Sequence, residues 1–455
     1  MNSKELYEKL KNKLRKQEVS FIIGAGFSKN ASPLFLDWTE LLKDMILDMY
    51  KEEIESSFYR VHKHTKHKDH QSNKIQEIIN RVGYLGIASE YVRRKGYHEA
   101  IDIYIEERVP FLRIKNDEYS LFKSEQKESK YIDVSIHKQL INLNAKYIYT
   151  FNYDNLLDVI GGTSEIEEIA KEIDFLKNLI EFLNKYKKIF ESDNEKKKGL
   201  NINRESLLSF NELDTQLLIK ELNTEINLIN NKNEKYFYPL PPFENNETDS
   251  TFYAERIVIW INDIQQRQDN LHNQIKEKYR VIDCSSDISL TENQKSIFKL
   301  HGTIRNPLEP KEYGFDNCLQ QQYVITQEDY NAYPKDHEAF VNLMRIALLR
   351  GTFCIIGFSV DDPNFLSWLS WVGSVLKSNK EEKKTDNKFF YINATDEKLT
   401  KEKQLLFSNH NISVIYLSEL FPKAKTIKEK LLLFLKNSDE DNCIRRAWKK
   451  IYDTK

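Results

Sequence analysis

The sequence predicts an α/β protein built on a Rossmann-like, doubly wound parallel sheet with a large helical insertion. Three observations point there. Short apolar runs recur along the chain without clean alternation, as in strands covered on both faces. Segments of helical period separate most of them, the arrangement that crossover connections require. The first run, Val19 to Ile23, stops at Gly24-Ala25-Gly26-Phe27-Ser28, where two glycines flank an alanine.

Taken in order, residues 4–17 read as an amphipathic helix leading into a strand at Val19–Ile23. Glycine lets the backbone turn tightly and approach a ligand closely. A helix starting just after Ser28 would point its free N–H groups and positive dipole end at whatever fills the turn. That combination is a phosphate cradle; a Gly-x-Gly that only turns a corner is the alternative reading. Trp38 to Tyr50 has helical spacing, and residues 51–130 continue mostly helical around a polar loop near His62–Asn73. His62, His64, His67 and His70 fall in that loop. With no cysteine or carboxylate cluster beside them, a solvated loop is the better reading than a metal site. Ala88 onward resembles another helix.

A second strand is expected at Tyr147–Thr150, then the turn Phe151-Asn152-Tyr153-Asp154 and a helix over Asn155–Asp158. After Gly161-Gly162 the texture becomes rich in Lys, Glu and Asn with helical period. This stretch, 163–280, reads as a helical insertion broken by Tyr238-Pro239-Leu240-Pro241-Pro242. Further strands are expected at Ser296–Leu300, Phe353–Ile356, Phe389–Ile392 and Ile412–Leu417. The organisation is then one domain over 1–440, interrupted by the insertion, with a tail at 441–455.

The 455 residues are 40% hydrophobic and 12% aromatic, enough for a substantial core. The 68 basic residues nearly cancel the 70 acidic ones, so no global field attracts nucleic acid or an anionic membrane. The charged start lacks a signal-peptide core, and no run approaches the roughly 20 apolar residues of a membrane span. Cys284, Cys318, Cys354 and Cys443 form no Cys-x-x-Cys pair, so neither a zinc ribbon nor a disulfide framework is expected. The expectation is a cytoplasmic protein without a bound metal.

Functional groups of such a sheet belong at the carboxyl ends of its strands. Ser28 follows the first strand, Asn152 and Asp154 the second, and His301 the third in Lys299-Leu300-His301-Gly302. Gly357-Phe358-Ser359-Val360-Asp361-Asp362-Pro363-Asn364-Phe365 follows the fourth. Each has a plain structural reading: an Asx turn at Asn152 and Asp154, a satisfied loop histidine, a helix start capped by Ser359 or Asp362 with Pro363 behind it. Their convergence on one sheet edge favours a ligand site.

The order of these motifs resembles the sirtuin superfamily. Gly24-Ala25-Gly26-Phe27-Ser28 is similar to its Gly-Ala-Gly-x-Ser cofactor loop, and Thr150-Phe151-Asn152-Tyr153-Asp154 to its Thr-x-Asn-x-Asp turn. Lys299-Leu300-His301-Gly302 resembles its strand ending in His-Gly, Gly357-Phe358-Ser359 its Gly-x-Ser ribose loop, and Ile392-Asn393 its Ile-Asn near the adenosine ribose. The resemblance runs from about residue 18 to 420. There are departures. The family's four-cysteine zinc module has no counterpart, and Phe35-Leu36-Asp37-Trp38 stands where the family has Phe-Arg. The loop from Phe358 to Phe365 resembles a bacterial branch that lacks the zinc module, carries helical insertions and degrades NAD in antiphage defence. The family also includes members that work beside a HerA-like ATPase, and others that carry a C-terminal nucleotide sensor, for which the sequence after 420 is expected to be too short.

The resemblance implies NAD+ as substrate, cleaved at the nicotinamide–ribose bond to give nicotinamide and ADP-ribose. Gly24, Ala25, Gly26, Phe27, Ser28, Thr150, Gly357, Ser359 and Asn393 would hold the dinucleotide. Asn152 would bind the nicotinamide-side ribose or the attacking water, Asp154 would orient that turn or the carboxamide, and His301 would be the base. Two other readings stand beside it: an NAD-dependent protein deacylase, and a non-catalytic NAD or ADP-ribose sensor in an assembly. The resemblance also implies a homo-oligomer or a partner-controlled effector. The insertion, with its aromatic–proline patch Tyr236–Phe243, is the expected place for such association.

Overall fold

A computed structural model of the chain describes residues 2–61, 67–96, 99–115, 118–123, 126–129, 132–143, 145–199, 250–291, 294–304, 323–378 and 388–438, with positions 220, 222, 224 and 228. These residues divide into two compact units, one of 1–163 with 279–455 and one of 164–278.

Among its described residues the first unit contains ten strands: β1 (Val19–Ile23), β2 (Phe111–Lys115), β3 (Glu118–Lys123), β4 (Gln126–Ser129), β5 (Tyr147–Thr150), β6 (Tyr279–Ile282), β7 (Lys295–Lys299), β8 (Thr352–Ile356), β9 (Phe389–Asn393) and β10 (Ile412–Tyr416). Seven of them form one sheet in the order β10-β9-β8-β1-β5-β7-β6. All its pairings are parallel, with Phe21 of β1 opposite Ile148 of β5 on one side and Cys354 of β8 on the other. The chain builds outward from β1 through β5 to the β7–β6 edge, then restarts on the other side of β1 at β8. Crossovers diverge between β1 and β8, and a crevice opens there at the carboxyl edge.

The apolar runs do not alternate because both faces are covered. Phe21, Ile23, Ile148, Cys354 and Ile356 pack with Leu6, Leu10, Leu140 and Phe434, from the helices Ser3–Arg15, Ser135–Asn142 and Ile427–Ser438. Ile22, Tyr149, Phe298, Phe353 and Ile355 point the other way, onto Phe340, Met344, Phe365 and Trp368 of the helices Glu338–Arg350 and Pro363–Ser378. Each fully buried Leu, Ile or Phe of this kind contributes about 1.5–3 kcal/mol. A third apolar cluster, with Leu42, Ile46, Ile78, Ile101 and Tyr104, gathers the helices between Trp38 and Arg108 around Tyr153 and Ile325.

The structure corrects the sequence reading in four places. Within 51–130, expected to be mostly helical, β2, β3 and β4 form a small antiparallel sheet. These strands are short and carry charges, which weakens their period-2 signal. The polar loop near His62–Asn73 gives way to a helix over His67–Val82, whose Ile75, Ile78 and Ile79 are buried. The helical stretch ends at Glu277, and Tyr279–Ile282 is an edge strand. No long helix begins just after Ser28: a single turn, Ala25–Ser28, is followed by an irregular segment up to Trp38. The Asn30 side chain helps to close that turn by donating to the Gly26 and Phe27 carbonyls (2.9 and 3.2 Å), and Asp37 starts the next helix through a reciprocal capping box with Glu40. The Tyr236–Phe243 patch, His62, His64, Cys318, Cys443 and the tail 441–455 lie outside the described residues.

The second unit is built on two long helices, Thr163–Gly199 and Ser250–Glu277. Leu176, Leu179, Leu183, Tyr186 and Phe190 follow a 3-4 spacing and pack with Tyr253, Ile257, Trp260 and Ile264. Phe190 stacks on Tyr253 at 5.6 Å, and Arg267 Nε donates to Glu172 at 2.9 Å. The two helices therefore run antiparallel. Among the described residues no helix is long and apolar enough to cross a membrane.

The crevice depends on the close approach of two glycine turns. A Cβ at Gly24 would sit 2.4 Å from the Gly357 carbonyl oxygen, and one at Gly357, where φ is +65°, would sit 2.3 Å from the Phe27 nitrogen. Gly357→Ala is therefore expected to destabilise the protein by about 3 kcal/mol or more, from backbone overlap and left-handed strain together. Gly373, inside the helix Pro363–Ser378, has nothing within 4 Å of its added Cβ, and Gly373→Ala should stabilise by about 0.5–1 kcal/mol. Urea unfolding of both variants measures the contrast; equal effects would contradict it.

Candidate active site

A cavity of about 950 Å³ opens at the carboxyl edge of the sheet. Its walls come from the turns after β1, β5, β7 and β8 and from the helical layer between Trp38 and Val109. Gly24, Ala25, Gly26, Asn152, Asp154, His301, Gly357 and Ser359, all expected from sequence, border it. Phe27, Ser28, Thr150 and Asn393 do not line it.

The turn after β1 is held against β8: Gly24 N donates to Ile356 O at 3.1 Å and Gly26 N to Gly357 O at 3.0 Å. Phe27 N donates to Gly24 O at 2.9 Å. Three amides expected to cradle a ligand are thus already engaged by the chain. What the turn offers is proximity: bare backbone at the cavity wall.

Ser28 is buried behind that wall and ties two strand ends together. Its hydroxyl donates to Asp154 Oδ2 at 2.8 Å and accepts from Asn152 Nδ2 at 3.1 Å. The Ser28 proton thus goes to Asp154 and its lone pair to the Asn152 amide. The Asn152 amide is thereby oriented at the cavity wall. The other Asp154 oxygen accepts Leu156 N at 3.1 Å, so both its oxygens serve the turn. Thr150 is also a builder: its hydroxyl donates to Ile23 O at 2.9 Å and accepts from Asn152 N at 3.1 Å.

Two buried side chains fix this turn from below. Lys299, at the end of β7, donates to the Asp154 carbonyl and lies 3.5 Å from Asp158. Burial pushes the Asp158 carboxyl up, against the pull of Lys299. Asn155 pairs with β2 as a neighbouring strand would, accepting from Leu112 N (2.7 Å) and donating to Leu112 O (2.9 Å). The small antiparallel sheet is thus joined to the Asn152 turn.

His301 lies in an aromatic box. Phe151, Tyr330 and Tyr333 meet its ring edge-on, with centroids at 4.8, 5.4 and 5.8 Å. Burial, with His337 nearby, drives its pKa down to about 3, so the imidazole is neutral at physiological pH. Its Nε2 faces Asp362 Oδ2 at 3.7 Å, too long for a hydrogen bond; with a neutral ring the contact is no ion pair. Burial raises Asp362 to about 6. Asp362 Oδ2 also accepts the Tyr330 hydroxyl at 2.8 Å, while Oδ1 caps the helix Pro363–Ser378 by accepting Phe365 N at 2.9 Å.

Sequence reasoning treated Asp362 only as a helix cap, and did not single out Trp38, Tyr330 or Tyr391, which also border the cavity. The Asp-Pro pair signals a cap, not a carboxylate beside the histidine. Val360 in the same loop takes φ +64° although β-branched and fully buried, a conformation that costs energy and marks a constrained turn. Asn393 uses its side chain locally, accepting from Thr395 N at 2.9 Å and donating to Glu397 O at 2.9 Å. Cys354 is buried inside β8, and Cys284 contacts Ser286. There is no zinc module among the described residues. Asp283, Cys284 and Asp287 bring donor atoms within 4.8 Å of one another, and none of the three borders the cavity.

Residues 250–415 match the family model of the SIR2-like domain, a stretch that contains His301, Gly357, Ser359, Asp362 and Asn393. The chain is sirtuin-like over that stretch, and its parallel α/β sheet agrees with the match. It is also similar to Defense-associated sirtuin 2 of Bacillus subtilis, 23% identical over 137 residues. That alignment spans 30% of this chain and 12% of the length of the relative.

Two buried histidines make the fold acid-sensitive. His137, packed on Phe27 at 4.7 Å with neither ring nitrogen partnered among the described residues, is also driven down by burial to about 3. In the unfolded chain both histidines take up protons near ~6.5, in the fold near 3. Their contribution is therefore complete above ~6.5 and falls by about 1.4 kcal/mol per histidine per pH unit below it. Asp362, raised in the fold, partly offsets this between about 6 and 4. His137→Leu should raise the urea midpoint at pH 5 relative to wild type by more than at pH 8. An equal shift at both pH values would contradict the assignment.

Proposed function

We propose that the protein is an NAD+ glycohydrolase that cleaves the nicotinamide–ribose bond and depletes NAD in antiphage defence. The observation that carries this reading is the pairing, across one cavity, of an oriented Asn152 amide with a neutral buried His301. Nicotinamide is already a cationic leaving group, so the reaction needs little covalent help and passes through an oxocarbenium-like transition state. The C1′–N bond breaks with its electron pair going to nicotinamide. A water oxygen bonds to C1′, and its proton leaves to a base. A neutral imidazole accepts that proton, and Asn152 Oδ1 would hold the water or a ribose hydroxyl. The dinucleotide would lie along the bare backbone of Gly24–Gly26 and Gly357, with Ser359 and the aromatic rings of Trp38 and Tyr391 at the same cavity. Phe27, Ser28, Thr150 and Asp154 act by shaping the turns that meet it.

The SIR2-like match and the relative named as a defence-associated sirtuin support this family of chemistry and this biological role. A deacylase is the weaker reading, because the zinc module that helps frame a peptide channel has no counterpart among the described residues. Control by a partner, such as a HerA-like ATPase, or by self-association through 163–280 belongs to the same proposal.

Purified protein, alone and with the products of neighbouring genes, should release nicotinamide and ADP-ribose from NAD+. Asn152→Ala and His301→Ala should each lower turnover by about 10²-fold or more while each variant still unfolds in urea at pH 8 in a single cooperative transition. Undiminished turnover by both variants would refute the site. O-acyl-ADP-ribose from an acetylated peptide would favour the deacylase.

A further inference from the structure

Among the described residues, the groups around the His301 ring leave its Nε2 one acceptor. Tyr333 directs its hydroxyl to the Leu300 carbonyl at 2.8 Å and carries His337 stacked on its ring at 4.5 Å. Asp329, on the same helix, accepts Thr326 N (2.8 Å) and Ile325 N (3.1 Å) in its own capping box. Phe151 offers only its ring. Tyr330 donates to Asp362. What faces Nε2 is Asp362 Oδ2, at 3.7 Å.

Nε2 is fully buried and has no hydrogen-bond partner among the described residues, although His301 borders the cavity. A ligand in the cavity therefore meets Nδ1, not Nε2. A lone pair turned toward a buried carboxylate is repelled by it; an N–H is attracted. We propose that Asp362 is the positioning residue of the base, holding the His301 proton on Nε2 so that Nδ1 presents its lone pair to the cavity. This rests on the reading of His301 as the base in NAD+ hydrolysis. When His301 takes a proton from water, the O–H bond breaks, its electron pair forms the new bond to C1′, and an N–H bond forms at Nδ1. The resulting imidazolium is stabilised by the Asp362 carboxylate and returns its proton to solvent. Tyr330 holds the same carboxylate oxygen. The capping bond from Phe365 fixes the other, so the carboxylate is held from both sides.

Histidine ¹⁵N resonances of the full-length protein at pH 8 test this directly, with the His301 pair identified by its loss in His301→Asn. Wild type should show His301 protonated on Nε2. Asp362→Asn, which keeps the helix cap, should move the proton to Nδ1, because its amide N–H turns the Nε2 lone pair inward. In NAD+ turnover the same variant should lose about 10²–10⁴-fold in kcat with KM changed by less than about 3-fold, and the acid limb of its pH profile should move to lower pH. Tyr330→Phe, which removes the hydroxyl but leaves the charge, should keep the wild-type tautomer. A wild-type ring protonated on Nδ1, an unchanged tautomer in Asp362→Asn, or a switch in Tyr330→Phe would overturn the proposal. No nicotinamide release from wild type, with the Nε2 tautomer and its response to Asp362→Asn intact, would count against the NAD reading and leave the Asp362–His301 pair standing.

Discussion

The site depends on one contact: the turn after β1 lies backbone against backbone on the turn after β8. Gly24 N and Gly26 N bond to Ile356 O and Gly357 O, and no side-chain atom fits between them. β1 and β8 are neighbours in the sheet but far apart in sequence, and the crossovers diverge between them. The glycines let the two turns come together and keep the crevice floor bare. Ser28 and the Gly357–Pro363 loop are carried on either side of this contact, so the positions of the Asn152 turn and of Asp362 both follow from it.

Around that contact, the polar groups divide into those that build and those that face the cavity. Ser28, Thr150, Asp154, Lys299 and Asn155 spend their hydrogen bonds inside the protein, on the turn that presents Asn152. Buried polar groups that are fully paired make a turn rigid, and rigidity is what an amide needs to hold a water or a hydroxyl in place. His301 is the opposite case. It is kept in an aromatic box that disfavours its charged form, with a single carboxylate among the described residues in reach of its buried nitrogen. Burial thus costs stability in acid and secures a neutral imidazole at neutral pH.

The helical elements contribute differently. The layer between Trp38 and Arg108 covers the carboxyl edge and supplies Trp38 and Tyr84 to the cavity wall. The two long helices of the second unit bury a heptad-like stripe between themselves, so this unit has a core of its own. That independence is what lets such a segment sit within a sheet fold without disturbing the strand order on either side of it.

The parallel sheet was legible because its period and punctuation are local. Val19–Ile23, Tyr147–Thr150 and Phe389–Ile392 are short, apolar and bounded, and each is a strand at or within a residue of its expected limits. β2, β3 and β4 were not legible, since strands with alternating charge at a surface compete poorly with a helical pattern in the same window. Glycines, Asn152 and His301 stood out because chemistry at strand ends is a positional rule. Asp362 did not, because its sequence context signals only a helix cap. By itself, then, the sequence determined six of the seven strands of the parallel sheet and which residue types meet at their carboxyl ends. Tertiary structure alone decided which of those residues face the cavity, that Ser28 and Asp154 are spent on building a turn, and that Asp362 stands against His301. The reason is physical: periodicity and turn chemistry act over a few residues, whereas hydrogen-bond partners and burial are set by segments that meet only after the sheet has formed.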